Sequence, residues 1–406
     1  MLAEKRQMKR TEEERRQILW FVLSLFPFFH PGYVSVCVPW LDALYNAGKV
    51  ISAIAVAAFC VRTFLEDREL SGAAAALLAM EIWMLADVLA HQGLQGRAIQ
   101  GVASVLVVCA VIELGTRRHA GALVQAMLLL DEALIGIHFV TMLAFPGGLY
   151  GTPLQGMDNW FLGYRNSFIF FFAPALSLEL MVAQSCGRRL RFYALLAVCA
   201  ASMAMGGSVT GCICMLLLAA LALTGLWKAK GFHSVTLAGA GLAAFVAIVL
   251  LRLQGVFEPV FGLLGRKTTF TGRTAIWDRT MEAIAASPLV GYGMQEEEVR
   301  AQVSQLAGGI TAHNFLLEQM YCFGLVGLVL LGVFLLFVVG TLYRHRAAMP
   351  SRALCLGLAC FFTVMLMEGE INNVPMYSFL FLCCRAERLA EQIPEAADEG
   401  RKRKQR

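Results

Sequence analysis

The sequence predicts an all-α integral membrane protein with about twelve transmembrane helices and a partly helical external loop near residues 253–312. Three observations predict it. The chain of 406 residues is 58% hydrophobic and only 16% charged, whereas a soluble domain carries roughly 45–50% apolar and about 25% charged residues. The apolar residues come in runs close to the roughly 20 needed to cross a bilayer core. The charges sit in short knots between those runs, such as Thr116–His119, Gly187–Arg191 and Tyr343–Arg346. A soluble chain of this length would need two or three domains, each with a charged skin, and the charge for that skin is missing.

The apolar runs lie near 18–38, 46–65, 72–90, 98–115, 121–145, 166–184, 192–206, 209–227, 234–252, 313–342, 353–368 and 374–386. Pro27 and His30-Pro31-Gly32 interrupt the first, and the seventh and last are short. With the N-terminus inside, every short inner connection carries two or three Lys or Arg, counting Arg62 at the end of the second run with the connection that follows it, and no short outer one carries more than one, as the positive-inside rule requires. The predicted organisation is a cytoplasmic N-terminal segment (1–17), nine helices (18–252), a large external loop (253–312), three helices (313–386) and a cytoplasmic tail (387–406). The first span is expected to be retained, because MLAEKRQMKRTEEERRQ is too long and too mixed in charge for a signal peptide. The basic end of the tail is expected to rest on anionic lipid.

Several function classes fall away at this stage. The net charge of +5 is spread as punctuation between spans, not as one basic stripe, so no nucleic-acid partner is expected. The cysteines lie almost all within or beside apolar runs, with no CxxC and no Cys/His cluster, so neither a disulfide frame nor a zinc site is expected. No fixed-period repeat supports a transporter built from symmetric halves.

The long outer loop carries the chemistry. In Thr271–Gly293, TGRTAIWDRTMEAIAASPLVGYG, Thr271 or Gly272 can cap a short helix that Ser287-Pro288 ends. On a helical wheel Ile276, Trp277, Met281 and Ile284 share one arc, with Asp278, Arg279 and Glu282 opposite. Arg273 falls inside the apolar arc, in the first turn, where helix amides also favour anions. It binds an anion there, snorkels, or pairs with a loop carboxylate. Further on, Thr311 can cap the tenth span, whose His313, Asn314, Glu318 and Tyr321 share a side and would line one face at the outer surface. Polar groups in spans are costly and face cavities. A second outer loop, 146–165, ends in Gly163-Tyr-Arg-Asn166.

The order Gly272-Arg273, Trp277, Pro288, Gly291, Gly293, His313-Asn314, Leu317, Gly324 and Gly327 resembles the O-antigen ligase and polysaccharide polymerase family. The resemblance is specific over about 272–327 and looser over about 160–227. It implies a multi-pass membrane enzyme of the cytoplasmic (inner) membrane that transfers or polymerises glycan carried on undecaprenyl diphosphate. The acceptor is a sugar, lipid or wall component at the outer face, and neither metal nor cofactor is needed. It also implies that Arg273 binds the donor diphosphate and that His313 assists the acceptor, with Arg165, Asn166, Trp277, Asn314, Glu318 and Tyr321 expected at the substrate site. This chain departs from the family at the outer turn Gly206–Gly211, which lacks the usual arginine, so Arg165 is the candidate second cation. An interfacial anchor explains Arg165 equally well.

These residue types suit the reaction. Displacing a polyprenyl diphosphate builds negative charge, which arginine meets with paired donors that stay charged when desolvated. A histidine titrating near neutrality suits the acceptor proton. One displacement, with inversion, needs no covalent intermediate. The alternative is a multi-pass transporter or flippase for a polysaccharide precursor or small solute, using Asp131, Glu132, His138, Glu81, Asp87 and Glu179 as a proton relay. Helix-packing roles explain those groups as well. The turn Glu368-Gly-Glu-Ile-Asn-Asn373 is a further candidate for acceptor contact or a plain polar turn.

Overall fold

The computed structural model describes residues 2–67, 70–152, 156–187, 189–253, 272–306 and 310–393. Helices dominate: α1 (Leu2–Leu25), α2 (Gly32–Cys37), α3 (Pro39–Asp67), α4 (Gly72–Ala90), α5 (Gln95–Arg118), α6 (Ala120–Ala144), α7 (Ile169–Cys186), α8 (Arg189–Gly206), α9 (Val209–Thr224) and α10 (Ser234–Phe245). They continue with α11 (Arg273–Ala286), α12 (Glu297–Ser304), α13 (Phe315–Arg344), α14 (Met349–Met365), α15 (Val374–Cys383) and α16 (Ala386–Gln392). Seven helices among the described residues are long and apolar enough to cross a membrane, and four shorter apolar helices accompany them. The protein is an all-α multi-pass membrane protein.

The apolar runs of the sequence fall on these helices. Pro27 and Pro31 break the first one as expected: α1 stops at Leu25, a 3-10 turn spans Phe26–Phe28, and α2 starts at Gly32 behind Pro31. Side-chain caps start several others. Ser71 accepts from the amide of Ala74, Ser208 from Gly211, and Asn373 from Met376, each satisfying an orphan helix donor. Gly187 and Gly225 end α7 and α9 in the left-handed conformation. The core forms where α14 packs along α7, α13 along α4, and α5 against α4 and α15. On α3, Trp40, Leu44, Ile51 and Ile54 are exposed instead, as lipid-facing side chains must be.

Two features were not anticipated. Loop 146–165 folds into a three-stranded antiparallel sheet, β1 (Tyr150–Thr152), β2 (Gly156–Trp160) and β3 (Gly163–Tyr164). It is anchored by Trp160 Nε1 donating to the Phe145 carbonyl at 2.8 Å and by the Tyr33 amide donating to Phe161. The second feature is a break in α13 at Gly324, where φ is 61° and ψ −164°. The turn segment 288–293 fills the break. Leu325 and Val326 donate to the carbonyls of Pro288 and Leu289, while Tyr292 and Gly293 donate to those of Tyr321 and Cys322. A Cβ on Gly324 would lie 2.2 Å from the Leu289 carbonyl oxygen, and one on Gly291 would lie 2.6 Å from that of Tyr321. Both positions therefore require glycine, and backbone polar groups released by the break are re-paired inside the fold.

The expected lipid contact of the basic tail end, and Thr271, Arg266 and Lys267 of the loop, lie outside the described residues.

Candidate active site

The docked segment fixes where α11 lies. Its apolar face buries Trp277 completely against Val249, Ala312 and Leu317, with Met281 and Ile284 beside them. On the opposite face Arg279 pairs with Glu282, both exposed. Gly272, in the left-handed conformation at φ 88°, is the residue before the first turn and offers no side-chain cap. Arg273 then points across to the turn after α14, donating from Nη1 to the Met367 carbonyl at 2.6 Å and from Nη2 to Glu368 Oε1 at 3.2 Å.

Glu368 is the centre of the arrangement. Its Oε1 also accepts from Asn166 Nδ2 at 2.9 Å. Its Oε2 lies 3.8 Å from His313 Nδ1, an ion-pair distance rather than a hydrogen bond. Asn166 Oδ1 in turn accepts from the hydroxyl of Ser208, the cap of α9, at 2.9 Å. Four segments far apart in sequence therefore meet at one buried carboxylate. Arg273 and Glu368 are about one-seventh and one-tenth exposed in their side chains, and His313 about one-third, so a water-accessible opening ends in a largely enclosed floor.

Arg165 borders this floor. Its Nη1 pairs with Asp158 of β2 at 3.2 Å, and a Cβ built on Gly207 would lie 3.9 Å from the same nitrogen. The guanidinium thus stands over the glycine turn that lacks an arginine of its own. It is one-third exposed.

His313 does not sit on a helix as the wheel placed it. Asn314, not Thr311, caps α13: its side chain accepts from the Leu317 amide at 3.0 Å and donates to the Leu366 carbonyl at 3.1 Å. His313 precedes the cap with φ at 47°, a left-handed conformation uncommon outside glycine, asparagine, aspartate and histidine. A turn held this way on both sides aims the imidazole at Glu368 independently of the helix.

Glu318, Tyr321, Trp277 and Asn314 form the wall behind the site rather than its open face. Glu318 receives a two-pronged pair from Arg300 of α12, at 2.7 and 2.8 Å, and the Ala312 amide at 2.8 Å. Burial alone would lower the Arg300 pKa, and the adjacent Glu318 charge more than offsets it, so the net shift is upward. Tyr321 is buried, donates to Gln295 Oε1 at 2.8 Å and faces the Arg300 guanidinium 4.3 Å from its ring centre.

Sequence reasoning passed over Glu368, Ser208, Arg300 and Glu370 as individual site residues, although it marked the 368–373 turn. The Glu370 carboxyl is pushed up to about 7 by burial, then by Glu368 and Glu318, with His313 opposing. The residue keeps open surface, so like-charge repulsion from its two carboxylate neighbours is the more durable part of that shift.

Several other polar groups of the spans have structural partners, although both carboxylate oxygens of buried Glu81 meet none among the described residues. His138 Nδ1 accepts from the Leu162 amide at 3.4 Å and meets the Phe168 ring edge-on. Glu132 and Glu179 both pair with Arg191. These contacts tie the sheet to α6 and join α6, α7 and α8.

With this geometry in place, comparison with known proteins identifies its setting. Residues 192–332 match the O-antigen ligase family. The match includes Ser208, Arg273, Arg300 and His313, while Arg165, Asn166, Glu368 and Glu370 are brought to the same place by the fold. The chain is also 34% identical over 96 residues to the exopolysaccharide production protein ExoQ of Rhizobium meliloti (strain 1021). That similarity covers 21% of this chain and 22% of the length of ExoQ.

Proposed function

We propose that this protein is a membrane glycosyltransferase of cell-surface polysaccharide biosynthesis. It takes glycan from a polyprenyl-diphosphate donor and passes it to an acceptor hydroxyl, as ligase or polymerase, at the outer face of the cytoplasmic membrane. The observation that carries this reading is the convergence of Arg273, Asn166 and His313 on Glu368, bordered by Arg165. Two arginines flank the place where a diphosphate would sit, and a histidine stands at its open side.

In this reading each arginine is held by a carboxylate, Arg273 by Glu368 and Arg165 by Asp158. Both guanidiniums carry five donors, so each can keep its carboxylate and still present N–H groups to phosphate oxygens. The acceptor oxygen forms its bond to the anomeric carbon as the bond from that carbon to the diphosphate oxygen breaks. The electron pair leaves with the diphosphate, where the two cations stabilise it. The acceptor proton passes to His313, which Glu368 orients and steadies in its charged form. Glu370, held above the usual carboxylate range beside Glu368 and Glu318, is a second group able to exchange that proton. Asn166 and Ser208 fix the position of Glu368.

The test is chemical. The purified chain in sealed proteoliposomes is given a polyprenyl-diphosphate-linked oligosaccharide, and products are weighed by mass spectrometry. Transfer predicts free polyprenyl diphosphate in step with a longer or newly attached glycan. Donor that crosses the bilayer with its mass unchanged would instead identify a flippase.

A further inference from the structure

The end of the molecule opposite Arg273 holds a second constructed site. Helix α5 starts beside the candidate active site, where the Leu94 amide donates to Met294 and Gly101 abuts Asn372. It ends at Arg118 after 24 residues, roughly 36 Å away at 1.5 Å per residue. There two cavities lie side by side. One, of about 370 Å³, is bordered by Arg62, Arg117, Arg118 and His119 together with Trp20 and Phe59. The other, of about 390 Å³, is bordered mainly by Leu70, Leu77, Leu78, Leu106 and Phe381. Thr63, Leu114 and Arg117 border both, so one continues into the other.

The described residues that line them are mostly basic or apolar. Among the described residues lining the two cavities, Glu113 is the one carboxylate, and it already meets Arg117 at 3.3 Å, Arg388 at 3.1 Å and Arg385 at 2.8 Å. The cationic cavity is thus lined by three guanidiniums, forks that match phosphate oxygens. Trp20 and Phe59, half-exposed with ring centres 5.9 Å apart, stand at its rim, where aromatic side chains mark a membrane interface. The apolar cavity leads from the cations into the helix bundle.

We infer that this pair of cavities binds an anionic glycerophospholipid, its phosphate among Arg62, Arg117 and Arg118 and an acyl chain in the groove between α3, α4 and α5. Basic pockets between transmembrane helices take anionic headgroups in this way. A polyprenyl-diphosphate headgroup bound at Arg273 and Arg165 is a bilayer thickness away, so donor headgroup and lipid would occupy different sites. The inference does not depend on the glycan chemistry proposed above.

Native mass spectrometry of the full chain in non-ionic detergent tests it, with added dioleoyl phosphatidylglycerol, dioleoyl phosphatidylcholine or undecaprenyl phosphate. Phosphatidylglycerol is expected to bind at least about tenfold more tightly than phosphatidylcholine. Arg62→Gln with Arg118→Gln should weaken phosphatidylglycerol about 30-fold, given roughly one headgroup charge interaction lost per arginine, and leave phosphatidylcholine unchanged. Ala74→Phe, which narrows the groove without altering charge, should weaken phosphatidylglycerol as well and stands in if the double variant fails to fold. Equal affinity for the two glycerophospholipids, or unchanged binding in a folded variant, would overturn the inference. So would tighter binding of undecaprenyl phosphate that the same substitutions abolish.

Discussion

Replacing Arg300 by methionine removes the guanidinium from a pair in which both partners are almost fully buried. The two bonds to Glu318 are 2.7 and 2.8 Å, a third runs from Nε to the Ile310 carbonyl at 3.1 Å, and the guanidinium covers Tyr321. Breaking such a pair from one side strands the other charge, at a cost of about 3–5 kcal/mol. At roughly 2 °C per kcal/mol for a large chain, that is a melting midpoint lower by roughly 6–10 °C. A thiol-reactive fluorophore reads it in detergent, because buried thiols such as Cys199, Cys214 and Cys322 become reactive on unfolding. Adding Glu318→Met removes the stranded carboxylate and should recover most of the midpoint. Glycan transfer should not recover, because the Ala312 amide, next to His313, loses its acceptor on Glu318. A single variant within about 2 °C of wild type, or a double variant that regains transfer, would refute the reasoning.

Three further outcomes follow from the geometry. His313→Gln keeps a hydrogen-bonding group but takes no proton, so turnover should drop roughly 10²–10⁴-fold while donor binding persists; turnover above half of wild type would reduce His313 to positioning. Its neighbours hold the Glu370 carboxyl above its ordinary 4.5 in the folded chain, so its contribution to stability is complete below 4.5 and lost as pH rises through the raised value. Glu370→Gln should flatten the melting midpoint across that window, and a profile identical to wild type would contradict the placement of its like-charged neighbours. In a cysteine-depleted background, Glu298→Cys should react with an impermeant maleimide from outside and Lys230→Cys should not, both positions being exposed. The reverse pattern would put Arg273 on the wrong face of the membrane.

The helices were legible because lipid imposes a length and basic residues punctuate it. Arg273 and His313 were legible because their residue types are uncommon beside apolar runs and recur in a recognisable order. The hub was not legible. Asn166 and Glu368 are 202 residues apart, and neither carries a local pattern that announces the other. Glu318 was read as lining an opening because a helical wheel knows nothing of Arg300, which arrives from a separate short helix and fills that side. The left-handed turn at His313 has no signature in composition, so the wheel started the helix three residues too early. The small sheet escaped notice because strands of 3, 5 and 2 residues are too short to show alternation. The glycines at 291 and 324, which entered as motif positions, turn out to hold the external loop in a broken helix.

The central claim is that Arg273 meets the charge that develops on a leaving diphosphate. Single-turnover glycan transfer by membrane-matched amounts of wild type, Arg273→Ala and Arg273→Lys measures this directly. The account predicts loss of roughly 10²-fold or more in the alanine variant and little recovery with lysine, which lacks the planar fork. Arg279→Ala, on the exposed face of the same helix, should transfer at close to the wild-type rate. Equal losses at Arg273 and Arg279, or wild-type transfer without Arg273, would contradict it.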